Sequence, residues 1–142
     1  MDKKIFIYKY IAYGTLGLGL EIFYTGFISF LRKDFTLQGT SYIWMFFIYG
    51  LAVFVEPIHD RIRDKSFIVR GLIYMVLIYF IELITGTILM YLLGKCPWDY
   101  TGIGNNSINS IVSIYFMPIW FALGMFLEKV HDFLDRTITY VE

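Results

Sequence analysis

Residues 71–93 read GLIYMVLIYFIELITGTILMYLL, an apolar run interrupted by a single charged residue, Glu82. A run of about 17–25 apolar residues is long enough to cross a bilayer as a helix, and in lipid a helix satisfies its own backbone hydrogen bonds. Three more runs are similar: residues 10–31, 41–58 and 108–127. The sequence therefore predicts an all-α, polytopic membrane protein with four transmembrane helices.

The amino-acid composition is typical of a membrane protein. The chain has 142 residues, which suits one domain over residues 1–142. Charged residues make up 17% of it, against roughly 25% in soluble domains. The net charge of zero gives no support to a nucleic-acid partner. Cys96 is the sole cysteine, so an internal disulfide is excluded.

The positive charges predict an orientation. With four spans, both termini and the second connection lie on one side of the membrane. That side would hold Lys3, Lys4, Lys9, Arg61, Arg63, Lys65, Arg70, Lys129 and Arg136. The other side would hold Arg32, Lys33 and Lys95. Because cytoplasmic loops carry the excess of Lys and Arg, we expect a multi-pass integral membrane protein with cytoplasmic N- and C-termini.

The sequence contains a candidate internal repeat. Residues 41–60 align with residues 113–132, and the pattern Glu-x-x-His-Asp occurs once in each segment. Glu21 and Glu82 are each followed about one turn later by Thr-Gly. We therefore predict a four-helix bundle of two pseudo-repeated helical hairpins, related by an axis along the membrane normal. Chance similarity between apolar helices is the alternative, since such helices use few residue types.

Glu21 and Glu82 are the leading candidates for function, because acidic residues inside a span are expensive and mark pathways or binding sites. Each lies about 18 Å beyond a basic residue near the start of its run, close to the bilayer midplane. The hydroxyls of Thr25 and Thr85 could complete their hydrogen bonding. The pattern predicts a polar cavity that binds a small polar or amphipathic ligand, a proton or another cation. An interhelical hydrogen bond that holds the bundle together is the alternative.

Two Glu-x-x-His pairs add a further possibility. Together with the midplane glutamates they match the ligand composition of di-iron bundles. Glu56, however, lies about 12 Å from the level of Glu21, too far for a shared metal. We therefore assign no metal and no cofactor. The residues that could still supply a metal site are Glu56, His59, Glu128 and His131. In the competing interpretation, Glu56, His59 and Asp60 are interfacial helix-end groups that pair with Arg61 or Arg63.

The loop between the last two predicted spans carries Trp98 and Asp99. Tryptophan there suits an interfacial aromatic belt. Asp99 either forms a turn or helix cap or closes the mouth of a cavity. The chain has no Gly-x-x-x-x-Gly-Lys-Ser/Thr stretch, so it does not hydrolyse ATP through a P-loop.

Several motifs occur together in chain order: Glu21-x-x-x-Thr25, Leu37-Gln38-Gly39-Thr40-Ser41, Trp44, Ile48-Tyr49-Gly50, Glu56-Pro57, Glu82-x-x-Thr85-Gly86, Cys96-Pro97-Trp98-Asp99-Tyr100 and Trp120. In these the chain resembles the type IV ABC-transporter (CmpB-like) family, which includes animal transmembrane protein 229. At the position after Tyr100 the family usually has serine, whereas this chain has Thr101. The resemblance implies a helical membrane protein with four or more spans, and a separate ATPase if the transporter label applies. Matched motif positions favour Glu21, Glu56, Glu82, Trp98 and Asp99 as functional, followed by His59 and His131.

The leading prediction is therefore a membrane binding or transport module with its ligand at Glu21 and Glu82. Four helices rarely enclose a translocation path alone, so we expect a homodimer or a partner membrane chain, surrounded by membrane lipids. One alternative is an intramembrane enzyme that acts on a lipid or isoprenoid, with the glutamates as acid and base. The other is a structural or regulatory membrane subunit.

Overall fold

The computed structural model describes residues 2–101, 107–108 and 111–139, and most of them are helical. The chain divides into two compact units, Met1–Phe54 and Val55–Glu142. The first unit contains helices α1 (Lys3–Leu31) and α2 (Ile43–Gly50) and a 3₁₀ turn (Leu51–Phe54). The second contains helices α3 (Glu56–Ile62), α4 (Phe67–Leu93) and α5 (Met117–Thr139), strands β1 (Ser107–Ile108) and β2 (Val112–Ser113), and a 3₁₀ turn (Ile114–Phe116).

Glycines bring α1 and α2 into close contact in the first unit. A Cβ atom added at Gly14 would lie 2.6 Å from the carbonyl oxygen of Phe46. At Gly17 it would lie 2.1 Å from the Tyr49 ring. These separations are far below van der Waals contact, so any larger residue would push the helices apart. Small residues at helix interfaces are typical of membrane proteins for this reason.

Helix α4 has two distinct faces in the second unit. Large apolar side chains four residues apart are exposed along one face: Leu72, Val76, Phe80, Ile84 and Ile88. The opposite face is buried and includes Gly71, Tyr74, Glu82, Gly86 and Leu89. It packs on α5, where a Cβ at Gly71 would lie 2.1 Å from the Phe121 ring. An apolar stripe on the outside, with the one carboxyl of α4 on the inside, is the arrangement expected of a helix surrounded by lipid.

Two helices, α1 and α4, are long and apolar enough to cross a membrane, among the residues that the structure describes. The number rises to three if Ile43–Phe54 and Glu56–Ile62 together form one span. Helix α5 does not qualify because charged side chains occupy its second half. The membrane character of the chain is thus supported, while the predicted four-span bundle of two pseudo-repeated hairpins remains a prediction.

The predicted helix over residues 41–58 is wrong as one continuous helix. It is interrupted by a 3₁₀ turn and resumes as α3 after Val55. Pro57 is the physical reason, because proline has no N–H to donate to the carbonyl of Val53, four residues earlier. Pro57 instead occupies the first turn of α3, where no intrahelical donor is needed.

The helix predicted over residues 108–127 begins only at Met117. Before it, Ser107 and Ile108 pair in antiparallel register with Ser113 and Val112. Side chains satisfy carbonyls of this segment: the indole N–H of Trp98 donates to Ile111 O at 3.0 Å, and Tyr79 Oη donates to Ser113 O at 2.9 Å. Residues 102–106 and 109–110, which include part of the predicted span and loop, lie outside the described residues.

Helix α5 continues past residue 127, where the predicted span ends, to Thr139. Its second half carries Glu128, His131 and Asp132. Glu128 and His131 are buried, with 6% and 3% of their surfaces exposed. The end of α5 therefore contributes buried charged groups to the second unit.

Candidate functional site

Glu82 lies on the buried face of α4, with 6% of its surface exposed. Tyr100 Oη donates to its Oε1 at 3.0 Å, and the indole N–H of Trp120 donates to its Oε2 at 3.0 Å. Tyr100 comes from the segment after α4 and Trp120 from α5, so two separate segments orient one carboxyl. Both donors are uncharged, and each carboxylate oxygen can accept a further bond. These three residues are called the Glu82 site.

The predicted loop residues support the Glu82 site from outside it. Trp98 is buried and donates to Ile111 O, and its ring would lie 3.0 Å from a Cβ added at Gly86. The Asp99 carboxylate accepts from the Thr101 N–H at 2.7 Å and from its hydroxyl. These two bonds hold the pKa of Asp99 below its ordinary value. Trp98 thus packs the loop onto α4, while Asp99 forms a turn.

The two predicted threonines bond to backbone groups. Thr85 Oγ1 donates to Ile81 O at 2.6 Å within α4. Thr25 Oγ1 lies within 3.0 Å of Glu21 O and accepts from the Thr40 N–H at 2.8 Å. Thr25 therefore joins α1 to the connection that precedes α2, and these hydrogen bonds do not involve the predicted carboxylates.

Glu21 is half-buried in α1, in the first unit. Its carboxyl lies beside the hydroxyls of Ser41 and Tyr49. Glu21 Oε2 and Ser41 Oγ are buried and meet no hydrogen-bond partner of standard geometry among the described residues. Glu21 and Glu82 belong to different compact units, so the predicted pairing of their carboxyls stays a prediction.

The two Glu-x-x-His-Asp motifs come together at the junction of α3 with α5, in the second unit. His131 Nδ1 lies 3.1 Å from Glu56 Oε1, and His131 Nε2 lies 3.5 Å from Asp60 Oδ1. His59 in turn faces the second motif: its Nδ1 lies 3.6 Å from Glu128 Oε2, and its Nε2 lies 3.5 Å from Asp132 Oδ1. Each histidine thus faces two carboxylates of the other motif. These six residues are called the histidine cluster.

A chain of hydrogen bonds connects the histidine cluster to α4. Arg70 binds the Glu128 carboxylate through Nε at 2.9 Å and a second nitrogen at 3.2 Å. Tyr74 Oη donates to Glu128 Oε2 at 3.2 Å and lies 2.6 Å from His59 Nδ1. The buried Glu128 charge is therefore balanced by Arg70 and oriented by Tyr74.

Arg63 closes the outer side of the histidine cluster. Its guanidinium lies 2.8 Å from both His59 Nε2 and Asp132 Oδ1, and it also pairs with Asp60. Burial raises the pKa of Asp132, but the hydrogen bond and charge of Arg63 outweigh it and bring that pKa below its ordinary value. Asp132 is accordingly ionised at neutral pH. Arg63 contacts His59 and Asp60, as in the alternative interpretation, whereas Glu56 lies beside His131.

Glu56, His59, Glu128 and His131, the alternative metal residues of the sequence, thus share one cluster. Glu82 lies about 12 Å farther along α4 than Tyr74, which contacts that cluster. In the part of the second unit that the structure describes, the Glu82 site and the histidine cluster are therefore separate polar sites at different levels.

Sequence reasoning did not assign several partners: Tyr100 and Trp120 at Glu82, Ser41 and Tyr49 at Glu21, and Arg70, Tyr74 and Asp132 in the histidine cluster. Four of them, Ser41, Tyr49, Tyr100 and Trp120, are residues of the family motifs quoted above, so a search for donors among those motif residues could have found them. The other contacts join positions far apart in sequence, and no spacing rule indicates them.

The chain was compared with known protein families, and a family model matches most of it. The family model described as "Putative ABC-transporter type IV" matches residues 8–141. The matched region includes Glu21, Glu82 and the histidine cluster. No solved structure matches the chain.

Proposed function

Because this chain belongs to the type IV ABC-transporter family, we propose that it is a transport-related membrane protein that binds a cation at the Glu82 site. The cation is either a free ion, a proton included, or the cationic group of a small polar or amphipathic ligand. One observation carries the proposal: a carboxyl buried within the apolar helix α4 is held by donors from two other segments.

Electrostatics favours a cationic ligand. Removing a carboxylate from water costs several kcal/mol, so an acid in a span persists where it has a partner or a task. Tyr100 and Trp120 orient both oxygens of Glu82 but bring no positive charge. A bound cation or proton would interact favourably with the Glu82 carboxyl in this apolar setting.

We propose Glu21 as a second carboxyl that binds ligand. Its setting in the first unit has the same character: an apolar helix, neighbouring hydroxyls of Ser41 and Tyr49, and one buried carboxylate oxygen. A polar ligand with hydrogen-bond donors could satisfy that oxygen. Glu21 therefore belongs to the proposal as a binding residue in its own unit.

The number of candidate spans indicates that the protein acts with a partner chain. The two or three candidate spans within the described residues are few for a complete translocation path, so we include a second copy or another membrane chain in the proposal. Since the chain has no P-loop motif, any ATP-driven step requires a separate ATPase. Cytoplasmic N- and C-termini, which require an even number of spans, remain part of the proposed topology.

Native mass spectrometry of the full chain, released from mild detergent, tests the proposal. We expect a small cationic ligand on the wild type that is lost in Glu82→Gln, which keeps the size of the side chain and removes its charge. Asp64→Asn is the matched control, because Asp64 is 72% exposed and pairs with the adjacent Lys65. A ligand retained equally by Glu82→Gln would refute the proposal.

A further inference from the structure

We propose that His59, Asp60 and His131 bind one divalent transition-metal ion of the Zn²⁺ class, at a site separate from Glu82. One ligand atom from each residue can be chosen so that all three lie within 4.8 Å of one another. Zinc bonds to nitrogen and oxygen of about 2.0–2.2 Å place tetrahedral ligands roughly 3.4 Å apart. Asp60 is 61% exposed, so its side chain is free to move inward. Imidazole with carboxylate is a normal zinc ligand set.

The hydrogen bonds of His59 select the tautomer that a metal requires. Tyr74 Oη donates its proton to Glu128, so it accepts from His59 Nδ1. Arg63 donates to His59 Nε2, which must therefore carry a lone pair. A metal-binding histidine commonly donates its other ring N–H to an oxygen, which fixes the ring and raises its basicity. His59 is held in this way, with Nε2 on the side of Asp132.

His131 has the corresponding arrangement. Its Nδ1 lies 3.1 Å from the buried Glu56 carboxylate, which stabilises a proton on that nitrogen. Its Nε2 lies 3.5 Å from Asp60 Oδ1 and 3.3 Å from Asp135 Oδ2. His131 Nε2 and these two carboxylates therefore converge on one point, where a metal cation could contact all three groups. The two glutamates thus support the rings from inside, and the aspartates supply negative charge outside.

Arg63 occupies the place of a cation in this arrangement. Its guanidinium lies 2.8 Å from both His59 Nε2 and Asp132 Oδ1. The Arg63 side chain is 54% exposed, so it can move into solvent when a metal binds. Asp132, at 22% exposure, would then be available as a fourth ligand. With two aspartates the site would balance the charge of a divalent ion.

Zinc titration of the full-length protein in mild detergent tests the site, after metal has been removed with a chelator. A chromophoric zinc chelator reports affinity, and cobalt absorption reports tetrahedral coordination. We expect one Zn²⁺ per chain. His59→Gln and His131→Gln should each weaken binding by more than about 100-fold, and Glu56→Gln, which only orients His131, by about tenfold. Binding should also weaken in acid, where the imidazoles hold protons.

Arg63→Gln keeps the test decisive if a histidine variant folds poorly, because this change should tighten zinc binding by about tenfold as it removes the competing cation. Asp64→Asn, a nearby exposed acid outside the site, should leave affinity within about twofold. Size exclusion and circular dichroism check the fold of each variant. Failure of the wild type to bind Zn²⁺, or affinities unchanged in the folded histidine variants, would overturn the proposal.

Discussion

Replacing Arg70 with glutamine removes the charge that balances Glu128 at the start of α4. Arg70 reaches both carboxylate oxygens, at 2.9 and 3.2 Å. The Glu128 side chain is 5% exposed, so water cannot take over from the lost guanidinium. Arg70→Gln would leave a buried carboxylate with Tyr74 as its donor at 3.2 Å. We expect this single change to destabilise the second unit strongly.

Arg70→Gln and Glu128→Gln should lower the free energy of unfolding by different amounts. Removing one partner of a buried ion pair costs about 3–5 kcal/mol, and Arg70→Gln should fall in this range. Glu128→Gln should cost less, about 1.5–3 kcal/mol, because Arg70 keeps the Lys65 carbonyl as an acceptor at 2.7 Å and is 18% exposed. The double variant should cost less than the sum of the two by about 1–3 kcal/mol.

Equilibrium unfolding in mixed micelles, with increasing sodium dodecyl sulfate and far-UV circular dichroism as the signal, measures these free energies. Arg61→Gln, at an exposed position of α3, is the control and should change stability by less than about 0.5 kcal/mol. An Arg70→Gln variant as stable as the control, or additive effects in the double variant, would refute the ion-pair reasoning.

Three more predictions concern other parts of the chain. Gly17→Ala should destabilise the first unit by about 1–3 kcal/mol, because the new Cβ would lie 2.1 Å from a tyrosine ring. Gly19→Ala should stabilise it by about 0.5–1 kcal/mol, because no atom lies within 4 Å of that Cβ position. Equal unfolding midpoints for the two variants would contradict this prediction. Thr25→Val should cost about 1–2 kcal/mol by the same assay, because it breaks the link from α1 to the next connection; Thr87→Val, whose hydroxyl bonds within α4, should cost less. Burial raises the pKa of the Cys96 thiol, so its alkylation at pH 8, followed by mass, should be slower than that of free cysteine and should accelerate above pH 9; a rate equal to that of free cysteine would contradict burial.

The sequence predicted the long helices well because length and apolar content alone determine whether a segment can cross lipid. Helices α1 and α4 follow from this argument, and Glu82 lies on the buried face of α4. The breaks were not predicted. Pro57 is visible in the sequence, but apolar content and length predict a span whether or not one residue lacks an N–H. The late start of α5 depends on Trp98 and Tyr79, whose donors satisfy distant carbonyls.

Candidate residues were easier to predict than their partners. A charged residue inside a membrane span costs free energy, so an acidic residue in an apolar run is a candidate for function. Glu21 and Glu82 can be identified in this way from the sequence alone. The donors Tyr100 and Trp120 meet Glu82 only after the chain folds. The repeated Glu-x-x-His-Asp motif indicated related roles, but the reciprocal approach of each histidine to the other motif depends on how α3 packs against α5. The enzyme and structural alternatives for the glutamates stay predictions.

Cation flux through the reconstituted protein tests the central claim about Glu82 most directly. Full-length protein is placed in liposomes with an entrapped pH dye, and a potassium-diffusion potential drives protons inward; radioactive sodium provides the second probe. Wild-type protein and Asp64→Asn should carry one of these cations faster than empty liposomes, and Glu82→Gln should lose at least about 90% of that flux, as expected when a carboxylate on the path loses its charge. Flux that is the same in Glu82→Gln and the wild type would contradict the claim.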